Sequence, residues 1–359
     1  MFESTEMALH LCFEHAACEE TIGLDRHGRE YYVIIVKKTY TWSSSGDASP
    51  TASLPVGVED TYDGEPGQSS PLLESELVPP KPEVDVLLAG EIVLAQPVEQ
   101  ITVRLTIGRR LEKTARVFGR RLWIPTVTGG LAPSRPQPFE RMPIAWTRSF
   151  GGTDAESPGV SEPRNPVGRG MARRAQSLEG TPAPNFESPS NPLTSAETRP
   201  DPVGFGPVAR SWMPRVRRAG TYDAAWLEDG FPLLPTDFDE GFFNCAPEDQ
   251  RLPTYQAGEV ARLREMTVDR DTAFALPPFD VPVTVIERGN QKTEGAAVAD
   301  TIVIEPAERR FSVTGRYLHY PQPNALAIVD VFVGAPPKGW IRARETRKRY
   351  LGRDPRAAR

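Results

Sequence analysis

Apolar positions along the chain fall into two β-like stretches, separated by a long segment in which no period holds. In residues 29–42, Arg-Glu-Tyr-Tyr-Val-Ile-Ile-Val-Lys-Lys-Thr-Tyr-Thr-Trp, β-branched and aromatic side chains dominate and the Lys37–Trp42 end alternates. That pattern predicts a strand. Residues 43–82 then lose it. Ser43-Ser-Ser-Gly-Asp47 and the prolines at 50, 55, 66, 71, 79, 80 and 82 predict a flexible surface loop over 43–80. Regular spacing resumes in Val84–Leu94, Ile101–Ile107, Leu111–Phe118 and Arg121–Ile124. The strict alternation of Ile101-Thr-Val-Arg-Leu-Thr-Ile107 implies one buried and one wet face. Breaks at Gly108-Arg-Arg110 and Gly119-Arg-Arg121 suit hairpin turns, so this stretch reads as an antiparallel meander.

Five more strands are predicted downstream: Gly258–Val268, Val283–Glu287, Thr301–Glu305, Phe311–Tyr317 and Ala325–Val333. Glu259–Arg264 also suits a short helix, and so does Ile341–Tyr350 near the end. The expected fold is mainly β, with two antiparallel, sandwich-like regions joined by a long ordered loop region and few short helices. The expected divisions are 1–124, a loop-rich centre at 125–255, 256–335 and a basic tail at 336–359.

The centre carries 20 of the 37 prolines between Pro125 and Pro253, together with many aromatic residues. Proline removes a backbone donor and fixes φ, which rules out long helix and central sheet there. A disordered linker is poor in aromatics, so the rings imply an ordered, irregular region. Long ordered loops are usually functional. Three phrases stand out: Arg141–Gly152 (Arg-Met-Pro-Ile-Ala-Trp-Thr-Arg-Ser-Phe-Gly-Gly), Asn165-Pro-Val-Gly-Arg-Gly170, and Asp237–Gln250 (Asp-Phe-Asp-Glu-Gly-Phe-Phe-Asn-Cys-Ala-Pro-Glu-Asp-Gln).

Composition narrows the class. The 359 residues contain no apolar run of the ~18–20 residues that span a bilayer, so no membrane association is expected. The Met1-Phe-Glu-Ser-Thr-Glu-Met7 start lacks a basic, then apolar, secretory pattern. Three cysteines, Cys12, Cys18 and Cys245, suit a reducing compartment, and the expected location is the cytoplasm. Net charge is −6, yet Lys338–Arg359 holds nine Lys/Arg against two Asp/Glu. That tail has only Trp340 and Tyr350 as stacking residues, so no nucleic-acid partner is expected.

No standard catalytic set emerges. Gly204-Phe-Gly-Pro-Val-Ala209 matches a dinucleotide fingerprint on paper, but prolines 200, 202 and 207 deny it the strand–helix context. His10, Cys12, His15 and Cys18 lie close together without a standard zinc spacing, so neither metal nor cofactor is expected. In the third phrase, Asp237, Asp239, Glu240, Glu248 and Asp249 are interleaved with Phe238, Phe242 and Phe243. Paired carboxylates can serve acid–base chemistry. Interleaved rings and nearby arginines favour a loop plugged into a core and clamped by guanidinium forks. Arg169, between two glycines, suits either a clamp on those acids or a fork presented to a partner.

These phrases resemble a bacterial family, domain of unknown function 2169. The resemblance rests on Phe150–Gly152, Asn165–Gly170 and Asp237–Gln250, with Lys37–Tyr40, Lys81–Val86, Gly119–Trp123, Gly204–Pro207 with Trp212, Gly220–Asp223 with Trp226, and Asp300–Pro306. It spans roughly residues 25 to 335. Where the family has Tyr-Glu-Arg or similar before Phe-Gly-Gly, this chain has Trp146-Thr-Arg-Ser149. The resemblance implies a non-enzymatic accessory of type VI secretion, an adaptor or chaperone that loads an effector with a PAAR-like domain onto the VgrG spike. The alternatives are a hydrolase-like enzyme using the acidic 237–250 loop and a structural component of the secretion apparatus. Expected partner-binding or platform residues are Arg148, Phe150, Asn165, Arg169, Trp212, Asp237, Phe238, Asp239, Phe242, Phe243, Asn244, Asp249 and Gln250.

Overall fold

The computed structural model describes residues 11–12, 15–154, 156–157, 159–288, 291–321, 328–335, 338–346 and 348. The protein is mostly β, with several antiparallel sheets. The strands that carry the architecture are β1 Ala17–Leu24, β2 Glu30–Trp42, β3 Val84–Leu88, β4 Gln100–Ile107, β5 Leu111–Phe118, β6 Val260–Arg264, β7 Asp271–Ala275, β8 Val281–Glu287, β9 Gln291–Glu305, β10 Arg310–His319 and β11 Ile328–Val333. A single α-helix among the described residues, α1 Lys338–Glu345, lies in the tail.

The larger sheet runs β11-β8-β9-β10-β2-β1. β9 is its spine. Its first part pairs with β8, Val298–Glu305 pairs with β10, and Thr301–Ile304 runs parallel to β3. The second sheet runs β5-β4-β6-β7, with Phe186–Glu187 added beside β5. Each large sheet therefore draws strands from both flanks of the sequence.

Alternation places the core between the sheets. Val103, Leu105 and Ile107 of β4, Ala115 and Val117 of β5 and Leu263 of β6 face Val86, Leu88, Ile302, Ile304 and Val313. Rings bridge the gap: Trp42 stacks on Phe274 at 4.5 Å, and Phe274 on Phe311 at 4.4 Å. A second cluster, including Ile34, Val36, Val283, Val285 and Val331, continues along the same face of the larger sheet, while Leu87 and Val303 pack with Cys245 and Ala246 on its other face. With both of its faces covered, β3 is buried along its whole length, Val-Asp-Val-Leu-Leu.

Several expectations need correction. The 43–80 segment is not a free loop. Val56, Ser70, Glu76 and Val78 are buried, and Ala48–Pro50 pairs with β2. Polar anchoring explains it, since Glu76 accepts bonds from Lys37 Nζ at 2.8 Å and the Gly57 amide at 2.7 Å. The strand reading of this stretch holds at Val260–Arg264 over the short-helix alternative, because pairing with β4 and β7 decides what local propensity left open. The strand expected over Ala325–Val333 is described only from Ile328. His10 and residues 349–359 lie outside the described residues.

Candidate functional site

The family phrases meet at a buried polar hub beneath the larger sheet. Asp85, fully buried on β3, accepts from Lys81 Nζ at 2.7 Å, Asn244 Nδ2 at 3.0 Å, and the Cys245 and Ala246 amides at 2.8 and 3.1 Å. Burial alone would raise the Asp85 carboxyl, but Lys81 and these donors outweigh it and hold its pKa below the usual range. Desolvation likewise pulls on Lys81, and Asp85 overcomes it to raise the ammonium pKa. Burial pushes the Cys245 thiol up, which leaves it protonated and inert. Beside the hub, Glu76 holds Lys37 and Thr314, while Asp300 pairs with the buried Arg316. A cavity of about 240 Å³ reaches this network, and both of its lysines, Lys37 and Lys81, are neutralised by their carboxylates.

The other phrases lock loops together. Asn165 Nδ2 donates to the Trp146 and Phe150 carbonyls, both at 2.9 Å, and Phe150–Gly151 runs parallel to Arg169–Gly170. Gly151 has φ +141°, and a Cβ there would meet the Asn165 carbonyl oxygen at 2.2 Å, so only glycine fits. Trp212 stands edge-on to Trp146 at 5.9 Å. Gln250 Nε2 ties the Val86 and Phe205 carbonyls at 2.7 and 3.0 Å. Phe150, Asn165, Trp212, Phe238, Asn244 and Gln250 are all buried and act within the scaffold.

The acids of the third phrase cap turns and meet cations. Asp237 accepts from the Thr221 amide and hydroxyl at 2.9 and 2.8 Å. Asp239 caps the turn at Gly241 and pairs with Arg218 at 2.7 Å. Asp249 pairs with Lys113, a mostly buried cation whose pKa burial lowers. Phe238, Phe242 and Phe243 form a mutual ring cluster. The expected clamp of Arg169 on these acids does not form; Arg169 Nε donates to the Thr147 carbonyl at 2.6 Å instead. Arg215, not named as a site residue, is the buried clamp, held by Glu74 and donating to the Phe242 carbonyl at 2.7 Å. Its partner Glu74 lies far off in sequence, so spacing offered no signal.

Two surfaces remain open. One is apolar: residues 221–234 project with Tyr222, Leu227 and Phe231 exposed by 53, 64 and 65%. Trp226 packs between Tyr222 and Phe231 at their base. Beside them a trough of about 370 Å³ is lined by Ile22, Leu24, Leu77, Leu233 and Phe243. Its wall includes β1, the last strand of the larger sheet, whose other edge pairs with no strand among the described residues. The other is a cavity of about 360 Å³ lined by Arg120, Arg121, Arg141, Arg148 and Arg169.

A family model described as "Uncharacterized protein conserved in bacteria", domain of unknown function 2169 (DUF2169), matches residues 27–316. The chain belongs to the DUF2169 family. No curated protein and no solved structure matches it. The DUF2169 match takes in the hub, the phrase junctions, the 221–234 projection and all five cavity arginines. It leaves out β1, the outermost strand beside the apolar trough, and β11. Among the described residues, no group of His, Cys, Asp and Glu is placed to hold a metal ion. No described helix is long and apolar enough to cross a membrane.

Proposed function

We propose that the protein is an adaptor that binds a secreted effector with a PAAR-like domain and promotes its loading onto the VgrG spike of a type VI secretion system. It works in the cytoplasm and is not an enzyme. The observation that carries this reading is the exposed apolar projection with its neighbouring trough. Tyr222, Leu227 and Phe231 stand in water beside Ile22 and Leu24 of β1, the last strand of the larger sheet, whose outer edge there pairs with no strand among the described residues. Large apolar groups grouped at one surface suit burial by a partner, and an open strand edge suits a partner's extended segment. Family membership supports the same reading through the resemblance that introduced it. The hydrolase-like alternative has less support, because Asp237 and Asp239 are engaged with Thr221 and Arg218 and neither bonds to Arg169.

The test is affinity capture from the native bacterium with the tagged full chain, alongside a Leu227→Asp/Phe231→Asp variant. The wild type is expected to recover an effector with a PAAR-like domain or VgrG. The variant is expected to recover at least tenfold less, since both anchors are exposed and their loss leaves the core intact. Normal effector delivery in a strain lacking the gene overturns the reading.

A further inference from the structure

The arginine cavity differs from the buried charged sites of the hub and its surroundings. Elsewhere buried cations are matched: Lys37 by Glu76, Lys81 by Asp85, Arg316 by Asp300, Arg215 by Glu74. In the cavity two arginines are matched at its border, Arg121 by Glu187 at 2.5 Å and Arg141 by Glu91 at 2.7 Å. The other three are not. Among the described residues no carboxylate comes within ion-pair distance of Arg120, Arg148 or Arg169, and no carboxylate lines the cavity. Among the described residues Arg148 makes no side-chain hydrogen bond. Arg169 is held by its Nε on the Thr147 carbonyl, which leaves its two terminal nitrogens unspent. Burial, followed by the charge of Arg148, depresses the Arg169 pKa. Like charges held together, partly out of water and without a counter-ion, are a standing electrostatic cost that an arriving anion relieves.

We propose that this cavity is a carboxylate-binding site that receives the Asp or Glu side chains of an acidic segment in a protein partner, with Arg148 and Arg169 presenting their N–H groups to it. Three features favour carboxylates on a protein over nucleic acid. The cavity walls include Pro138, Phe139, Met142 and Pro143, which suit a peptide and offer no array of stacking rings. About 360 Å³ holds a few side chains but no run of phosphodiesters. The whole chain carries −6, which opposes a long polyanion. That the occupant is a protein rests on the adaptor reading; that the site takes anions does not.

Fluorescence anisotropy of a labelled hexaglutamate peptide with the full chain at low salt tests it. Arg148→Gln is expected to weaken binding about tenfold or more, the usual effect of losing a charge-assisted hydrogen bond. Arg148→Lys is expected to restore part of the affinity, and Arg262→Gln, whose side chain pairs with Asp271, to leave it unchanged. Among the described residues the Arg148 side chain makes no hydrogen bond, so thermal melts are expected to match the wild type. If they do not, Arg120→Gln, an exposed lining residue, carries the same expectation. Equal peptide binding by wild type and variants overturns the site. Inorganic phosphate or a single-stranded oligonucleotide displacing the peptide at equal or lower concentration overturns the acidic-segment assignment. The assay contains no host protein, so its failure and the failure of effector capture are separate results.

Discussion

Glu20 sits on β1 beside Glu19, and burial followed by that neighbouring charge pushes its carboxyl up to about 7. In the unfolded chain the group titrates near 4.5. Between the two values the folded state binds more protons, so its stability falls as pH rises through that window and levels off above it. Glu20→Gln is expected to match the wild type at pH 4 and to exceed it at pH 8 by about 1 kcal/mol, a figure discounted for solvent screening at this half-buried site. Urea melts at the two pH values check it, and a pH-independent difference refutes it. At this scale the sequence was partly readable. Asp237, Asp239 and Asp249 announced turn caps and ion pairs by standing among turn residues and arginines. Of the two readings of Arg169, the clamp on the 237–250 acids fails, because a guanidinium's neighbours depend on where the chain returns, and only the fold places the Thr147 carbonyl beside it. Asp85 and Glu76 were not singled out, since the groups that hydrogen-bond their carboxylates lie up to 161 and 238 residues away.

At the scale of elements, the hub makes β3 depend on the 237–250 loop. Asp85→Asn keeps the shape but leaves Lys81 buried without a counter-charge. The expected cost is about 3–5 kcal/mol, read as a lower urea midpoint with unchanged slope. A loss under 1 kcal/mol means the Asp85 charge contributes little to docking the loop. Alternation identified β4 and β5 almost to the residue, because each has one dry and one wet face. It missed the first part of β9, where Gln291-Lys-Thr-Glu-Gly295 is polar and largely exposed and is strand only through its pairing with β8. It missed β7, whose five residues are too few to display a period.

At the scale of the molecule, the sequence conveyed a β-rich protein with an irregular, ring-studded centre. It did not convey that one core serves both flanks, because strand pairing across such distances leaves no local trace. β2 pairs with β10, and β4 with β6, so each sheet joins residues from the two ends. A fragment of residues 1–255 is therefore expected to lack cooperative unfolding and to aggregate, whereas the full chain melts in a single transition. A sharp melt for the fragment, followed by calorimetry, contradicts that expectation. The long spine strand β9 also sets a timetable. The ribosome has made nearly three hundred residues before the 291–305 segment exists to receive its neighbours. Until then β2 and β3 lack the neighbouring strands that join them into one sheet, and non-local pairing of this kind is slow and prone to misassembly. The newborn chain thus spends most of its synthesis as an unsealed half, a natural client for holding factors at the ribosome exit.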